Sequence, residues 1–179
     1  MKLEEIRNNI DLIDSRILKL LNERMEQALL AKKFKSRIED QEREREVMDR
    51  LRKSPHTLLQ PEFTESLYRM IITWGKELQA KDYSVIGFQG EHGAYSEEAA
   101  RHWNRELVTM PCTTFNGVFE GVASGMFDYG IVPVENTLGG IIETVNELLT
   151  STELQIVGAV NMPIHHSLLM LPGTDHREI

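Results

Sequence analysis

Residues 6–35, IRNNIDLIDSRILKLLNERMEQALLAKKFK, decide how the first half of this chain folds. Residues 1–53 contain neither Gly nor Pro, and apolar side chains recur at Ile6, Ile10, Ile13, Ile17, Leu20, Leu21, Ala28 and Ala31. At ~100° per residue these positions form one face of a long helix. Two cations interrupt that stripe: Arg24 shares the azimuth of Ile6, and Lys35 lies ~20° from it. A guanidinium and an ammonium facing a packed core are costly unless an anion meets them. Few acidic residues are placed to do so: Glu44 is a candidate, most others lying on polar faces. Two readings fit. The cations snorkel at the edge of a bundle, or they line an interior pocket for a small, multiply negative ligand.

Working outward, the spacing predicts three helices in residues 1–80. The first spans residues 3–35 and ends in a polar break at Ser36–Glu39. The second runs from Asp40 to Arg52, with Val47, Met48 and Leu51 turned inward and Asp40 at its positive end. Ser54-Pro55-His56 and Gln60-Pro61 form a connector. The third helix starts at Pro61, suited to a first turn, and is expected to bury Phe63, Leu67, Met70, Ile71, Trp74 and Leu78. A first helix ~50 Å long is hard to cover with two shorter ones. The expectation is therefore a helical homodimer in which a second copy covers the stripe.

The chain changes character near Ala80–Ser84. Of its 20 Lys+Arg, 16 fall in residues 1–80 beside 15 acidic residues, whereas residues 81–179 hold 13 acidic residues against Lys81, Arg101, Arg105 and Arg177. Gly75 is the sole glycine before residue 81, and eleven follow. Two domains are expected, residues 1–80 and 83–179. A formal charge of −8 and no basic stripe argue against a nucleic-acid partner. Cys112, the one cysteine, excludes an internal disulfide and fits a reducing compartment. The amino terminus lacks the apolar run of a signal peptide, and no stretch reaches membrane-spanning length. The expected location is cytoplasmic, with no membrane partner, no metal and no cofactor.

The polar residues of the first domain converge. Arg24 and Lys35 share a face three turns apart, Arg43 and Glu44 begin the second helix, and Gln79 lies within ~20–40° of Tyr68, Ile72 and Gly75 on the third. Arg7, ~100° from Arg24, would reach a pocket only on a second copy. Cations, an amide and a carboxylate suit a dicarboxylate carrying an ether or hydroxyl oxygen. The pattern Ile6-Arg7-x-x-Ile10-Asp11-x-Ile13-Asp14, Leu20-Leu21-Asn22-Glu23-Arg24, Lys32-x-x-Lys35, Asp40-x-x-Arg43-Glu44 and Gln79 resembles the all-helical chorismate mutases. The resemblance implies a Claisen rearrangement of chorismate to prephenate in an intertwined dimer whose sites borrow an arginine from each other. It implies that Arg24 and the second copy's Arg7 clamp two carboxylates, with Arg43 in support. Lys35 and Gln79 would donate to the ether oxygen, and Glu44 and Asp40 would hold the ring hydroxyl region. Gly75 stands where several relatives carry a small hydroxyl residue.

In the second region, Tyr83–Phe88 and Phe127–Val134 read as strands, with helices from Ser96, a candidate N-cap, and around Ile142–Leu149. Further strands are expected at Leu154–Val160 and His166–Leu171. This alternation argues for an α/β layer. Gly87-x-x-Gly90-x-x-Gly93 lacks dinucleotide-fingerprint spacing. His165 and His166, strand neighbours facing opposite ways, make no metal pair. The segments Gly90-x-x-Gly93-Ala94-Tyr95-Ser96-Glu97, Asp128-Tyr129-Gly130-Ile131-Val132-Pro133-Val134-Glu135-Asn136-Thr137, and Ile156-Val157-Gly158 with Ile164-x-His166-x-Leu168 resemble prephenate dehydratases. That family's domain resembles two-lobed periplasmic binding proteins, which implies a substrate cleft lined by Ser96, Glu135, Asn136 and Thr137. A mutase ahead of a dehydratase is the bifunctional arrangement toward phenylpyruvate and phenylalanine. Ala159 replaces an acidic residue common at that position. The family's later Thr-Arg-Phe motif, whose threonine expels the hydroxyl, and its regulatory domain do not occur by Ile179. The expectation is an incomplete lobe that does not dehydrate prephenate by the family mechanism. The alternative is a non-catalytic helical dimerisation module with a small-anion-binding lobe; such a module would favour apolar residues at positions 24 and 35.

Overall fold

The computed structural model describes residues 2–55 and 58–171 and divides the chain into two units at Ser84–Val85. His56 of the expected connector, and residues 172–179, lie outside the described residues.

The first unit contains α1 (Leu3–Lys32), α2 (Gln41–Lys53) and α3 (Pro61–Ala80). The backbone N–H of Lys2 donates to Glu5 Oε2 at 2.8 Å, tying down the start of α1. The helix stops at Lys32, short of the expected residue 35. The amides of Phe34 and Lys35 bond back three residues, to Ala31 and Lys32, a tightened exit that carries Lys35 off the helix. Asp40 caps α2 by accepting from the Arg43 N–H at 2.9 Å, and Pro61 occupies the first turn of α3.

Burial on α3 departs from the expectation. Thr64, Gly75 and Gln79 are its buried residues, while Phe63, Met70 and Trp74 are 56%, 63% and 53% exposed, and Leu67 is exposed as well. The same holds on α1, where Ile6, Ile10, Ile13, Ile17 and Leu20 are all exposed. Geometry is the reason: 30 residues of α1 extend ~45 Å, α3 with 20 extends only ~30 Å beside it, and α2 packs on α3 instead of lengthening the cover.

The second unit runs β1 (Val85–Gln89), α4 (Tyr95–Trp103), β2 (Val108–Cys112), α5 (Phe115–Ala123), β3 (Tyr129–Ile131), β4 (Glu135–Asn136), β5 (Gly140–Ile141) and α6 (Glu143–Ser151). The first three strands form a parallel sheet in the order β2-β1-β3, and β4 pairs antiparallel with β5. Val85 faces Val108 and Ile86 faces Tyr129 in register. As the central strand, β1 carries the apolar run Val85-Ile86-Gly87-Phe88, buried throughout. Val118, Phe127, Met110 and Val145 complete the core.

Here several boundaries differ from expectation. Helix α4 begins at Tyr95, with Ala94 rather than Ser96 at the cap position. The strand expected over residues 127–134 is confined to Tyr129–Ile131, because Pro133 has no N–H for a ladder. β2 and α5 were not anticipated: Pro111 and the glycines Gly117 and Gly121 mask them. Pro111 is tolerated because β2 lies at the sheet edge. The segments 154–160 and 166–171 form no strand. Their apolar side chains are largely exposed, and this stretch touches the fold at single points: a Cβ on Gly158 would collide with Trp103, and the Tyr95 hydroxyl donates to the His165 carbonyl at 2.8 Å. His166 meets the Tyr95 ring edge-on. Among the described residues no helix is long and apolar enough to cross a membrane, and no cluster of His, Cys, Asp or Glu could hold a metal ion.

Candidate active site

An open cavity of about 520 Å³ lies among the second half of α1, the turn after it, α2 and α3. Arg24, Lys35, Asp40, Arg43, Glu44, Gly75 and Gln79 all line it. Arg7 does not. It precedes Arg24 by 17 residues, or ~26 Å along the helix, and is exposed.

Each lining group is held differently. Arg24 is half-buried, and its Nη1 has one long approach, 3.5 Å, to the Ile71 carbonyl. Neither Arg24 nor Lys35 has an ion pair with a carboxylate among the described residues. Glu44, the expected counter-ion, instead accepts from Lys76 Nζ at 3.0 Å. The reason is placement: Glu44 and Lys76 face each other across α2 and α3. Gln79 is buried, and its amide donates to the Ala28 carbonyl at 2.5 Å, which fixes the amide and leaves its second N–H to donate elsewhere. Asp40 is committed on one oxygen to capping α2. Arg43 extends to Glu46 at 2.8 Å on the exposed side of the helix. Gly75 opens the floor, its nearest neighbours being Ala28 Cβ and Arg24 Nη1, each 3.7 Å from where a Cβ would stand.

Five cationic residues, Arg24, Lys35, Arg43, Arg50 and Lys76, line the cavity beside two carboxylates, Asp40 and Glu44, and Arg43 is paired outside it with Glu46. A hollow with that excess of positive charge selects a small anion bearing more than one negative charge. Sequence reasoning missed Lys76, Arg50 and Gln27 as lining residues, and it placed Tyr68 on the Gln79 face without a role. Lys76 was findable, since it follows Gly75 and stands three residues before Gln79 on α3.

In the second unit, topology places the segments that carry the expected residues after the carboxyl ends of two neighbouring strands. β1 and β3 are adjacent and parallel, so their carboxyl ends lie at the same sheet edge. The loop from β1 leads into Ser96 in the first turn of α4, and the segment after β3 carries Glu135, Asn136 and Thr137. Open α/β sheets bind ligands at such an edge, outside the carboxyl ends of the strands. Glu135, Asn136 and Thr137 are exposed, and Ser96 is half-buried. Asn136 Oδ1 accepts from the amides of Leu138 and Gly139, which sets the turn.

Glu97 organises the loop beside them. It is 5% exposed, and its carboxylate receives Gly93 N–H at 2.7 Å, Thr109 Oγ1 at 2.8 Å, Arg101 Nη2 at 2.8 Å and His92 Nδ1 at 2.9 Å. Burial pushes its pKa up, but these hydrogen bonds together outweigh it and hold the carboxyl at about 2. At Gly93 a φ of 89° needs glycine, so the N–H can reach that carboxylate. Cys112 is half-buried, and burial pushes its thiol pKa up, away from nucleophilic use.

Comparison with known proteins is consistent with this division. Residues 86–179 match the family described as prephenate dehydratase, and residues 6–80 match chorismate mutase type II. The bifunctional chorismate mutase/prephenate dehydratase of Escherichia coli (strain K12) is 33% identical over 192 residues, covering 95% of this chain and 49% of that protein. The bifunctional chorismate mutase/prephenate dehydratase of Aquifex aeolicus (strain VF5) is also 33% identical, over 99% of this chain and 50% of its own length. An Arabidopsis thaliana protein, arogenate dehydratase/prephenate dehydratase 6, chloroplastic, is 43% identical over 88 residues, 49% of this chain and 21% of that protein. The chain thus spans about half the length of the bifunctional relatives it matches.

Proposed function

Because this chain belongs to the prephenate dehydratase family and carries a chorismate mutase type II domain ahead of that match, we propose that its helical unit, residues 1–80, converts chorismate to prephenate. The observation that carries the reading is the cavity in which Arg24 and Lys35 stand without a carboxylate partner among the described residues, with Gln79 fixed beside them. A Claisen rearrangement is unimolecular, so it needs no nucleophile. The protein has to hold the enolpyruvyl arm over the ring and stabilise charge on the breaking ether oxygen. In this reading Arg24 binds one substrate carboxylate and Arg7 of a second copy binds the other, with Arg43 adding positive charge. Lys35 and the second N–H of Gln79 donate to the ether oxygen, while Glu44 and Asp40 face the ring hydroxyl.

The site is completed by an intertwined homodimer. The exposed row Ile6, Ile10, Ile13 and Ile17 on α1, with Phe63, Met70 and Trp74 on α3, supports that assembly, because single chains rarely leave so continuous an apolar face in water. Residues 83–179 form part of a dehydratase domain with a binding-protein-like lobe. There Ser96, Glu135, Asn136 and Thr137 line the prephenate cleft at the carboxyl ends of β1 and β3. A cytoplasmic location goes with this reading, and the single half-buried cysteine is in keeping with it.

The experiment is the loss of chorismate absorbance with the purified chain, and prephenate formation is expected. No acceleration over the uncatalysed reaction overturns the mutase reading. Hydrogen exchange with added prephenate tests the second unit: protection at Gly93–Ser96 and Glu135–Thr137 supports the cleft, and protection elsewhere alone refutes it.

A further inference from the structure

Lys76 belongs to none of the roles above, yet it reaches into the same cavity. We propose that Lys76 is a positioning residue of the mutase site, holding the Glu44 carboxylate in place and offsetting its charge when a dianion enters. The inference rests on the mutase reading. Lys76 Nζ lies 3.0 Å from Glu44 Oε1, and both residues line the cavity with Arg24, Lys35 and Gln79. Lys76 and Gln79 are i and i+3 on α3, so the ammonium and the amide come from one helix face.

As a staple between α2 and α3 this pair would do little. The two side chains are 32% and 34% exposed, and ion pairs that water still reaches contribute little to stability. Its consequence lies inside the cavity. A carboxylate aimed into a hollow that receives two further carboxylates repels its own guest. An ammonium at 3.0 Å offsets that repulsion while using one Glu44 oxygen, and the other oxygen stays directed by the pair to accept from a guest hydroxyl. Lysine suits the task, because a compact ammonium can sit against one Glu44 oxygen and leave the other free.

Chorismate kinetics and melting temperatures of Lys76→Met, Lys76→Arg, Glu44→Gln and the Glu44→Gln/Lys76→Met pair test this. Lys76→Met is expected to raise KM about tenfold while kcat changes by less than about threefold, and Lys76→Arg to keep KM within about threefold of the parent. In the Glu44→Gln background the lysine has no carboxylate left to offset, so the double variant's KM should equal that of Glu44→Gln alone. An unchanged KM in Lys76→Met, additive penalties in the double variant, or a lowered melting temperature with parental kinetics overturns the proposal. A parent chain that consumes no chorismate sinks the mutase reading and this inference together. An active parent with a silent Lys76 sinks this inference alone.

Discussion

At the scale of single residues, the central charges are Arg24 and Lys35, whose helical azimuths set them among apolar neighbours. That conflict between pattern and chemistry was visible in the sequence and led to the cavity. Lys35→Ala should lower turnover by at least ~100-fold, the usual loss for one transition-state donor; steady-state kinetics measure it, and parental rates would remove Lys35 from the site. Gly75 makes a second prediction. Glycine inside a helix costs roughly 0.5–1 kcal/mol relative to alanine. A Cβ there would meet Ala28 and Arg24 at 3.7 Å, ordinary contact. Gly75→Ala should therefore raise the stability of the helical unit by about that amount in a denaturant titration. What the sequence did not reveal was which anion meets which cation. Glu44 was assigned to Arg24 and Lys35 from azimuths on separate helices, and pairing across helices depends on crossing geometry that periodicity does not encode. The same limit hid the pairing of Glu44 with Lys76, though not the place of Lys76 beside Gln79 on α3.

Among the elements, the three helices and the central strand were legible because their signals are local: an unbroken run without Gly or Pro, a proline at the start of α3, and the apolar run of β1. Strands that depend on a neighbour were not. Residues 154–160 have the composition of a strand but no ladder partner among the described residues, and β2 hides behind Pro111 at a sheet edge where proline costs nothing. Glycines inside elements have a packing reason that composition does not show. A Cβ on Gly87 or Gly121 would collide with the Phe127 ring, so they let β1 and α5 close on it. The Glu97 knot joins the Gly90–Ala94 loop, α4 and β2, and it makes an acid-side prediction. Its folded pKa of about 2 lies below the ordinary 4.5. The stabilisation is therefore complete above pH 4.5 and is lost as pH falls from there through about 2. Melting of the second unit should show the parent above Glu97→Gln at neutral pH, with the gap closing over that acid window. A gap independent of pH would contradict the assignment.

For the whole molecule, the decisive feature is the apolar length of α1 that nothing among the described residues covers. Ile13, 52% exposed, sits midway along it. Ile13→Asp should shift the species seen in sedimentation from dimer to monomer and abolish mutase activity together. A monomer that keeps its activity would separate catalysis from assembly. The sequence motivates the proposed assembly through a helix too long for its neighbours, but it could not say which side chains remain bare in the single chain. The most direct measurement mixes two impaired chains, Arg7→Ala and Arg24→Ala, unfolded and refolded together. If each cavity takes Arg24 from its own chain and Arg7 from the other, one of the two sites in every mixed dimer is intact, and activity should return to about a quarter of the parent value. Activity no higher than that of the two variants refolded separately would contradict a site shared between two copies.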